Sequence, residues 1–164
     1  MAAAWAGAEV KQLAFSRDLQ EFLRLLANHD VRYVLIGGTA VIYHGHTRLT
    51  GDVDFLFDCT EANARRLWQA LLAFWRGNVP GLQAAEELMD PEIVVQFGRP
   101  PNRIDLIAGL RTVAFEDAWR NRVHEQITVD GVSVPIWILG LEELKRSKRE
   151  AGRPKDLEDL RQLP

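Results

Sequence analysis

Two aspartates separated by one residue, Asp52 and Asp54, are the side chains of this sequence best placed to do chemistry. These paired acids alternate with Val53 and Phe55, which predicts a β-strand that carries both carboxylates on one face. At the usual rise of a strand they lie about 7 Å apart, and they repel each other in a dry pocket. A cation between them removes that cost, and Mg²⁺ prefers carboxylates together with substrate phosphates. The alternative is a solvated strand face.

A third carboxylate, Asp105, lies in another apolar segment. Residues 92–97 and 103–107 are apolar-rich and are joined by a stretch of glycine and proline, which predicts an antiparallel hairpin. Both neighbours of Asp105 are apolar, so its side chain points to the opposite face, where it can meet the paired acids across adjacent strands. An acid within an apolar strand is costly unless it is paired or binds metal. The alternative is an edge-strand aspartate that faces water.

A glycine pair, Gly37 and Gly38, directly follows the apolar run Tyr33–Ile36. The run predicts a short buried strand, and residues 39–44 predict a short helix after the glycines. Glycine allows positive φ and close approach of the backbone to a ligand. The free N–H groups at the start of a helix favour an anion. The sequence therefore predicts a phosphate site, formed mostly by backbone, beside the paired acids.

Charged residues near the end of the chain are further candidates. An apolar stripe over residues 141–150 predicts a helix that places Lys148 on its inward face. Lys148 either meets an anion there or extends along the stripe to water. A glycine and a proline then predict the end of this helix and the start of another, close to Lys155 and Asp156. Those two residues either join the site or are solvated.

The elements that must position these residues form a mixed pattern of helices and strands. Helical spacing predicts an amphipathic helix that includes Phe15 and Leu26, and another after a Thr60 cap. Asp130-Gly131, between residues 123–129 and 132–139, predicts a further hairpin. The predicted fold class is α/β (α+β), a mixed β-sheet flanked by helices. A single domain over residues 1–164, closed by C-terminal helices, fits this length.

The motifs resemble those of a known superfamily. The resemblance is carried by Gly37-Gly38-Thr39, Asp52-Val53-Asp54 and Asp105. They resemble the glycine pair, the paired acids and the third acid of the nucleotidyltransferase fold, which includes the catalytic core of DNA polymerase beta. Residues 44–54 and 148–160 are similar to the small bacterial branch of AbiEii-type toxin nucleotidyltransferases. The resemblance covers residues 31–160.

The resemblance implies transfer of a nucleoside monophosphate from ATP or another NTP to an acceptor hydroxyl, with release of pyrophosphate. The paired acids would hold two Mg²⁺ ions, or Mn²⁺, and Asp105 would share a metal and orient or deprotonate the acceptor. Asp156 would be an orienting partner. Arg48 would reach a triphosphate oxygen or pair with one of the paired acids. The nucleotide-binding residues expected are Gly37, Gly38, Thr39, Arg48, Lys148 and Lys155.

The acceptor remains open at the level of sequence. It is RNA, for example tRNA as the target of a toxin controlled by an antitoxin, or it is a small hydroxylated molecule such as an antibiotic. A nucleotide-binding module without transfer is the third alternative, and any of these proteins could form a homo-oligomer. The net charge of −3 provides no global basic field for nucleic acid.

Composition also predicts the compartment. The single cysteine, Cys59, excludes an internal disulfide and fits a reducing cytoplasm. No run approaches the roughly 20 apolar residues that cross a bilayer. We therefore expect a cytoplasmic protein with no membrane partner.

Overall fold

A computed structural model of the protein describes residues 9–10 and 13–164. The predicted domain, residues 1–164, extends outside the described residues at positions 1–8 and 11–12. In chain order the strands are β1 (Glu9–Val10), β2 (Leu13–Ala14), β3 (Tyr33–Ile36), β4 (Asp52–Phe57), β5 (Val94–Phe97), β6 (Arg103–Ile107), β7 (Val123–Val129) and β8 (Val132–Ile138). The helices are α1 (Arg17–Asn28), α2 (Gly37–Tyr43), α3 (Glu61–Phe74), α4 (Phe115–Arg120), α5 (Leu141–Ala151) and α6 (Pro154–Gln162), with a 3₁₀ helix at Ala85–Met89.

Six strands form one sheet in the order β5-β6-β4-β3-β8-β7. The pairs β4–β6 and β3–β8 are parallel, whereas β3–β4, β5–β6 and β7–β8 are antiparallel. Strands β1 and β2 pair separately as a small antiparallel sheet. The mixed sheet flanked by helices confirms the predicted fold class.

The aromatic core determines which face of β4 is available for polar residues. The ring of Phe22 in α1 lies 5.3 Å from that of Phe55 in β4 and 5.2 Å from that of Phe74 in α3. Burying a side chain of this size stabilises the fold by about 1.5–3 kcal/mol. Because strand side chains alternate between faces, Asp52 and Asp54 lie on the face opposite Phe55.

Most predicted element boundaries agree with the structure. Strand β3 has the predicted bounds, and Asp130 and Gly131 both adopt positive φ in the predicted β7–β8 turn. Strand β5 begins two residues later than expected because Glu92 belongs to a turn, in which its N–H donates to Asp90. Helix α2 begins two residues earlier than expected, at Gly37.

The sequence interpretation did not include α4, the small β1–β2 sheet or the 3₁₀ helix. These elements are short, so they carry too few apolar repeats to establish a period. Within the described ranges, the helices are all too short or too polar to cross a membrane.

Candidate active site

Three carboxylates meet on the polar face of the sheet. Parallel pairing of β4 with β6 places Asp54 opposite Asp105, and Asp52 lies two residues away on the same face of β4. One carboxylate oxygen from each aspartate lies within 4.8 Å of the others. Asp105 is buried, whereas the other two are half-buried. The expectation that Asp105 faces the paired acids is confirmed.

Arg103, which the sequence interpretation missed, joins two of these carboxylates. Its Nη2 donates to Asp52 Oδ2 at 2.7 Å and to Asp105 Oδ2 at 3.1 Å, and its Nε donates to Asp105 Oδ1 at 2.9 Å. Gln96 on β5 donates to Asp105 Oδ2 at 3.3 Å. Position 103 lies two residues before Asp105 on one strand, so period-two spacing is the signal that could have identified it.

The charged form of the remaining carboxylate, Asp54, is electrostatically unfavourable. Among the residues that the structure describes it has no ion pair. Burial, the charges of Asp52 and Asp105 and a hydrogen bond with Asp105 raise the pKa of Asp54 from 3.8 to about 7, against an opposing effect of Arg103. Protonation of Asp54, or binding of a metal ion to it, removes the cost of this buried negative charge.

The donor set fits a divalent cation. All three ligands are hard carboxylate oxygens, which suit Mg²⁺ or Mn²⁺. The oxygens that share one Mg²⁺ lie about 3–4 Å apart, so the observed separation of up to 4.8 Å needs only small side-chain rotations. The arrangement is therefore able to hold a cation.

The first glycine of the pair lies directly against these acids. Gly37 has φ +61°, and a Cβ at this position would clash with Asp54 Oδ2. Gly38 lies instead beside Thr50, since a Cβ there would be 2.7 Å from Thr50 Oγ1. Neither position has room for a Cβ unless these neighbouring side chains move. Thr39 differs from its expected place: because α2 begins at Gly37, its side chain is turned inward and buried, and it does not line the cleft.

A cleft of about 360 Å³ lies over the acids. One wall, which we call the acidic wall, consists of Asp52, Asp54 and Asp105 with Arg103. The glycine pair and Thr50 also line the cleft. Four cationic side chains complete the lining, and we call this group the basic wall: Arg48, Lys148, Arg153 and Lys155. The cleft therefore combines a cation-binding surface with an anion-binding surface.

Buried carboxylates hold the basic wall in place. Lys148 Nζ lies 3.1 Å from Asp156 Oδ1 and 2.9 Å from Asp159 Oδ2. Arg48 pairs with both oxygens of Asp159, at 2.8 and 3.0 Å. Arg153 Nε donates to Asp156 Oδ2 at 2.7 Å. Lys148 thus points inward as expected, and its anionic partners are protein carboxylates.

Two alternatives from the sequence are wrong. Arg48 pairs with Asp159 and not with Asp52 or Asp54, because α6 brings Asp159 beside it. Asp156 is fully buried, which excludes the solvated alternative, whereas Lys155 is exposed at the edge of the cleft.

The two carboxylates of α6 differ electrostatically from Asp54. Burial alone would raise the pKa of Asp156, but hydrogen bonds from Arg153 and Lys148 lower it overall. The pKa of Asp159 is lowered in the same way by Arg48 and Lys148, against the effect of burial. Both carboxylates therefore remain charged and serve as counter-ions. The sequence interpretation missed Asp159, although the spacing of three residues from Asp156 predicts a shared helical face.

Comparisons with known proteins agree with this geometry. A family model described as "Nucleotidyltransferase of unknown function (DUF6036)" matches residues 16–163. The fold is similar to the crystal structure of "a putative nucleotidyltransferase" from Thermotoga maritima, with a TM-score of 0.52 and 17% identity over 88% of this chain and 89% of that chain. No curated protein matches the sequence. The match over most of the chain shows that this protein is an enzyme of the nucleotidyltransferase class and belongs to the family DUF6036.

Proposed function

We propose that this enzyme is a metal-dependent nucleotidyltransferase that moves a nucleoside monophosphate from an NTP to an acceptor hydroxyl and releases pyrophosphate. The observation that carries the proposal is the convergence of Asp52, Asp54 and Asp105 within 4.8 Å in a cleft that basic side chains also line. We further infer that the chain is related to the DNA polymerase beta-like superfamily and to its AbiEii-type branch.

The acids are assigned to the cation and to the acceptor. Asp52 and Asp54 would hold the divalent cations, Mg²⁺ or Mn²⁺, and Asp105 would share one of them. When bound, the cation neutralises triphosphate charge and lowers the pKa of a coordinated hydroxyl. Asp105 would orient the acceptor hydroxyl and take its proton. The acceptor oxygen then bonds to the α-phosphorus while the bond from that phosphorus to the pyrophosphate oxygen breaks.

The basic wall and the glycine pair are assigned to the nucleotide. Backbone at Gly37 closely approaches Asp54, and Gly38 lies beside Thr50 and Arg48. Arg48, Lys148 and Lys155 line the cleft as cations. A triphosphate carries several negative charges, so this wall would neutralise the part of the substrate that lies away from the metal. The protein would accelerate the reaction mainly by positioning and charge neutralisation.

Two classes of acceptor are compatible with the cleft. RNA is the first, in which case the protein would act as a toxin with an antitoxin partner. A small hydroxylated molecule is the second, and the net charge of −3 favours it because the chain as a whole does not attract a polyanion. A binding module without transfer is less well supported because Asp105 faces the paired acids.

A labelling experiment tests the proposal. Each α-labelled NTP is incubated with Mg²⁺ and the protein, together with total RNA or a panel of hydroxylated small molecules. We expect label on one class of acceptor, loss of transfer on chelation of the metal, and at least about a hundredfold loss in Asp52→Asn.

Asp90→Asn is the matched control because this aspartate is exposed and does not line the cleft. Its transfer rate should equal that of the wild type. Failure of the wild type both to label any acceptor and to bind an NTP in the presence of Mg²⁺ contradicts the proposal.

A further inference from the structure

Arg103 and the acids form a two-by-two arrangement on adjacent strands. In the parallel register of β4 and β6, Asp52 lies opposite Arg103 and Asp54 lies opposite Asp105. All four residues line the cleft. One of the four positions thus carries a permanently cationic side chain, Arg103, next to the carboxylates assigned above to metal binding.

The guanidinium of Arg103 uses the same carboxylate oxygens that a metal would need. It makes a bidentate contact with Asp105 at 2.9 and 3.1 Å and reaches Asp52 at 2.7 Å. Planar forks of this kind are among the stronger ion pairs in proteins. The side chain of Asp105 is only 7% exposed, so water competes weakly for this contact.

Most of the acceptor capacity of Asp105 is already used. A carboxylate offers about four lone-pair sites, two on each oxygen. Oδ2 of Asp105 receives both Arg103 and Gln96, and Oδ1 receives Arg103. A cation that coordinates Asp105 through Oδ2, or through both oxygens, must therefore displace at least one of these partners. Arg103 is the partner whose positive charge also repels the cation.

We propose that Arg103 is a positioning residue that holds Asp52 and Asp105 together while the site lacks metal, and that competes with the divalent cation for both carboxylates. The role rests on the proposed function, because it presumes that these acids bind metal. Cation uptake is then coupled to movement of the Arg103 side chain, which is 30% exposed and has the cleft beside it. Because these contacts must be broken first, Arg103 lowers the affinity of the site for a divalent cation.

The test is calorimetric titration of Mg²⁺, and separately Mn²⁺, into nucleotide-free protein. If Arg103 competes, Arg103→Gln should bind the cation about tenfold more tightly or better, since a charge-assisted pair no longer has to be broken. Arg103→Lys retains the charge but lacks the fork, so its affinity should fall between the two. Arg65→Gln is the matched control, because Arg65 pairs with exposed Glu61 and Glu86 on the surface and should leave the affinity unchanged.

Thermal unfolding provides a second measurement that is independent of activity. Without Arg103 the acids repel each other, so Arg103→Gln should melt at a lower temperature than the wild type and should gain more from added Mg²⁺. If Arg103→Gln does not fold, Arg103→Lys carries the same comparison.

The possible outcomes separate this role from the proposed function. Equal or weaker cation binding in both Arg103 variants, with measurable binding by the wild type, overturns the role of Arg103 and leaves the metal site intact. Tighter binding in Arg103→Gln, including binding detectable in this variant alone, supports the role. Absence of cation binding in every variant overturns the role of Arg103, whereas the metal dependence is decided separately by chelation in the labelling experiment, in which the NTP is present.

Discussion

The two walls of the cleft use aspartates in opposite ways. In the acidic wall the guanidinium of Arg103 pairs with two of the three carboxylates, and the third, Asp54, has no ion pair among the described residues. In the basic wall two buried carboxylates, Asp156 and Asp159, are surrounded by Arg48, Lys148 and Arg153. The acidic wall thus has three carboxylates for one guanidinium, whereas in the basic wall three cationic side chains pair with two carboxylates.

This difference separates carboxylates that are short of cationic partners from carboxylates that hold cations in place. Burial and the like charges around Asp54 raise its pKa, whereas cations around Asp159 lower its pKa despite burial. Residue type alone does not distinguish these roles. The surrounding charge decides whether an aspartate is a candidate ligand or a structural counter-ion.

The largest effect on stability is expected in the basic wall. Asp159→Asn leaves the buried ammonium of Lys148 and the guanidinium of Arg48 with less compensating charge. Removing one partner of a buried ion pair typically costs about 3 kcal/mol or more, and we expect the free energy of unfolding in urea to fall by that amount.

Glu158→Gln is the matched control, since this neighbouring side chain is exposed and pairs only with residues of its own helix. It should leave the urea midpoint nearly unchanged. Equal midpoints for Asp159→Asn and the wild type would remove the distinction between the two walls.

A smaller effect of opposite sign is expected in the acidic wall. Because the pKa of Asp54 is raised from 3.8 to about 7, the folded protein binds this proton more tightly than the unfolded chain. The stability that this provides is complete below about pH 4 and is lost as the pH rises to about 7. Asp54→Asn should therefore stabilise the metal-free protein by about 2 kcal/mol at pH 8, about half of the full conversion of this shift because Asp54 is only half-buried and solvent screens part of the repulsion, with the gain disappearing near pH 4.

Urea unfolding in the presence of a chelator, at several pH values, measures this gain. Asp58→Asn is a useful control. Asp58 directly follows β4, is buried and pairs with Arg32. Loss of its charge should therefore destabilise the protein at pH 8. A gain for Asp54→Asn that is independent of pH would contradict the proposed origin of the pKa shift.

The smallest effect is expected at Lys155, an exposed cation of the basic wall. No ion pair is seen for it within residues 13–164, and it lines the cleft. Lys155→Ala should leave the free energy of unfolding unchanged and weaken binding of a nonhydrolysable NTP by about fivefold or less, as for an exposed ion pair.

Competition binding measures this change, with Lys145→Ala as a control that lies outside the cleft. Loss of stability without loss of affinity in Lys155→Ala would place this lysine with the structural cations.

The sequence was informative wherever a local rule applies. Period-two alternation predicted that Asp52 and Asp54 share a face, and turn residues predicted the β7–β8 hairpin and the β5–β6 hairpin that carries Asp105. Helical spacing predicted the inward direction of Lys148. Each rule depends on residues a few positions apart, whose relative directions the backbone of one element determines.

The partners of these residues were decided only by the tertiary structure. Arg48 and Asp159 are 111 residues apart in sequence, and Arg103 reaches Asp52 across 51 residues. No local pattern encodes which strands become neighbours or in what register, because many pairings satisfy the same alternation of apolar and polar residues. Strand order and helix packing therefore decided which acids cluster together and which face a lysine.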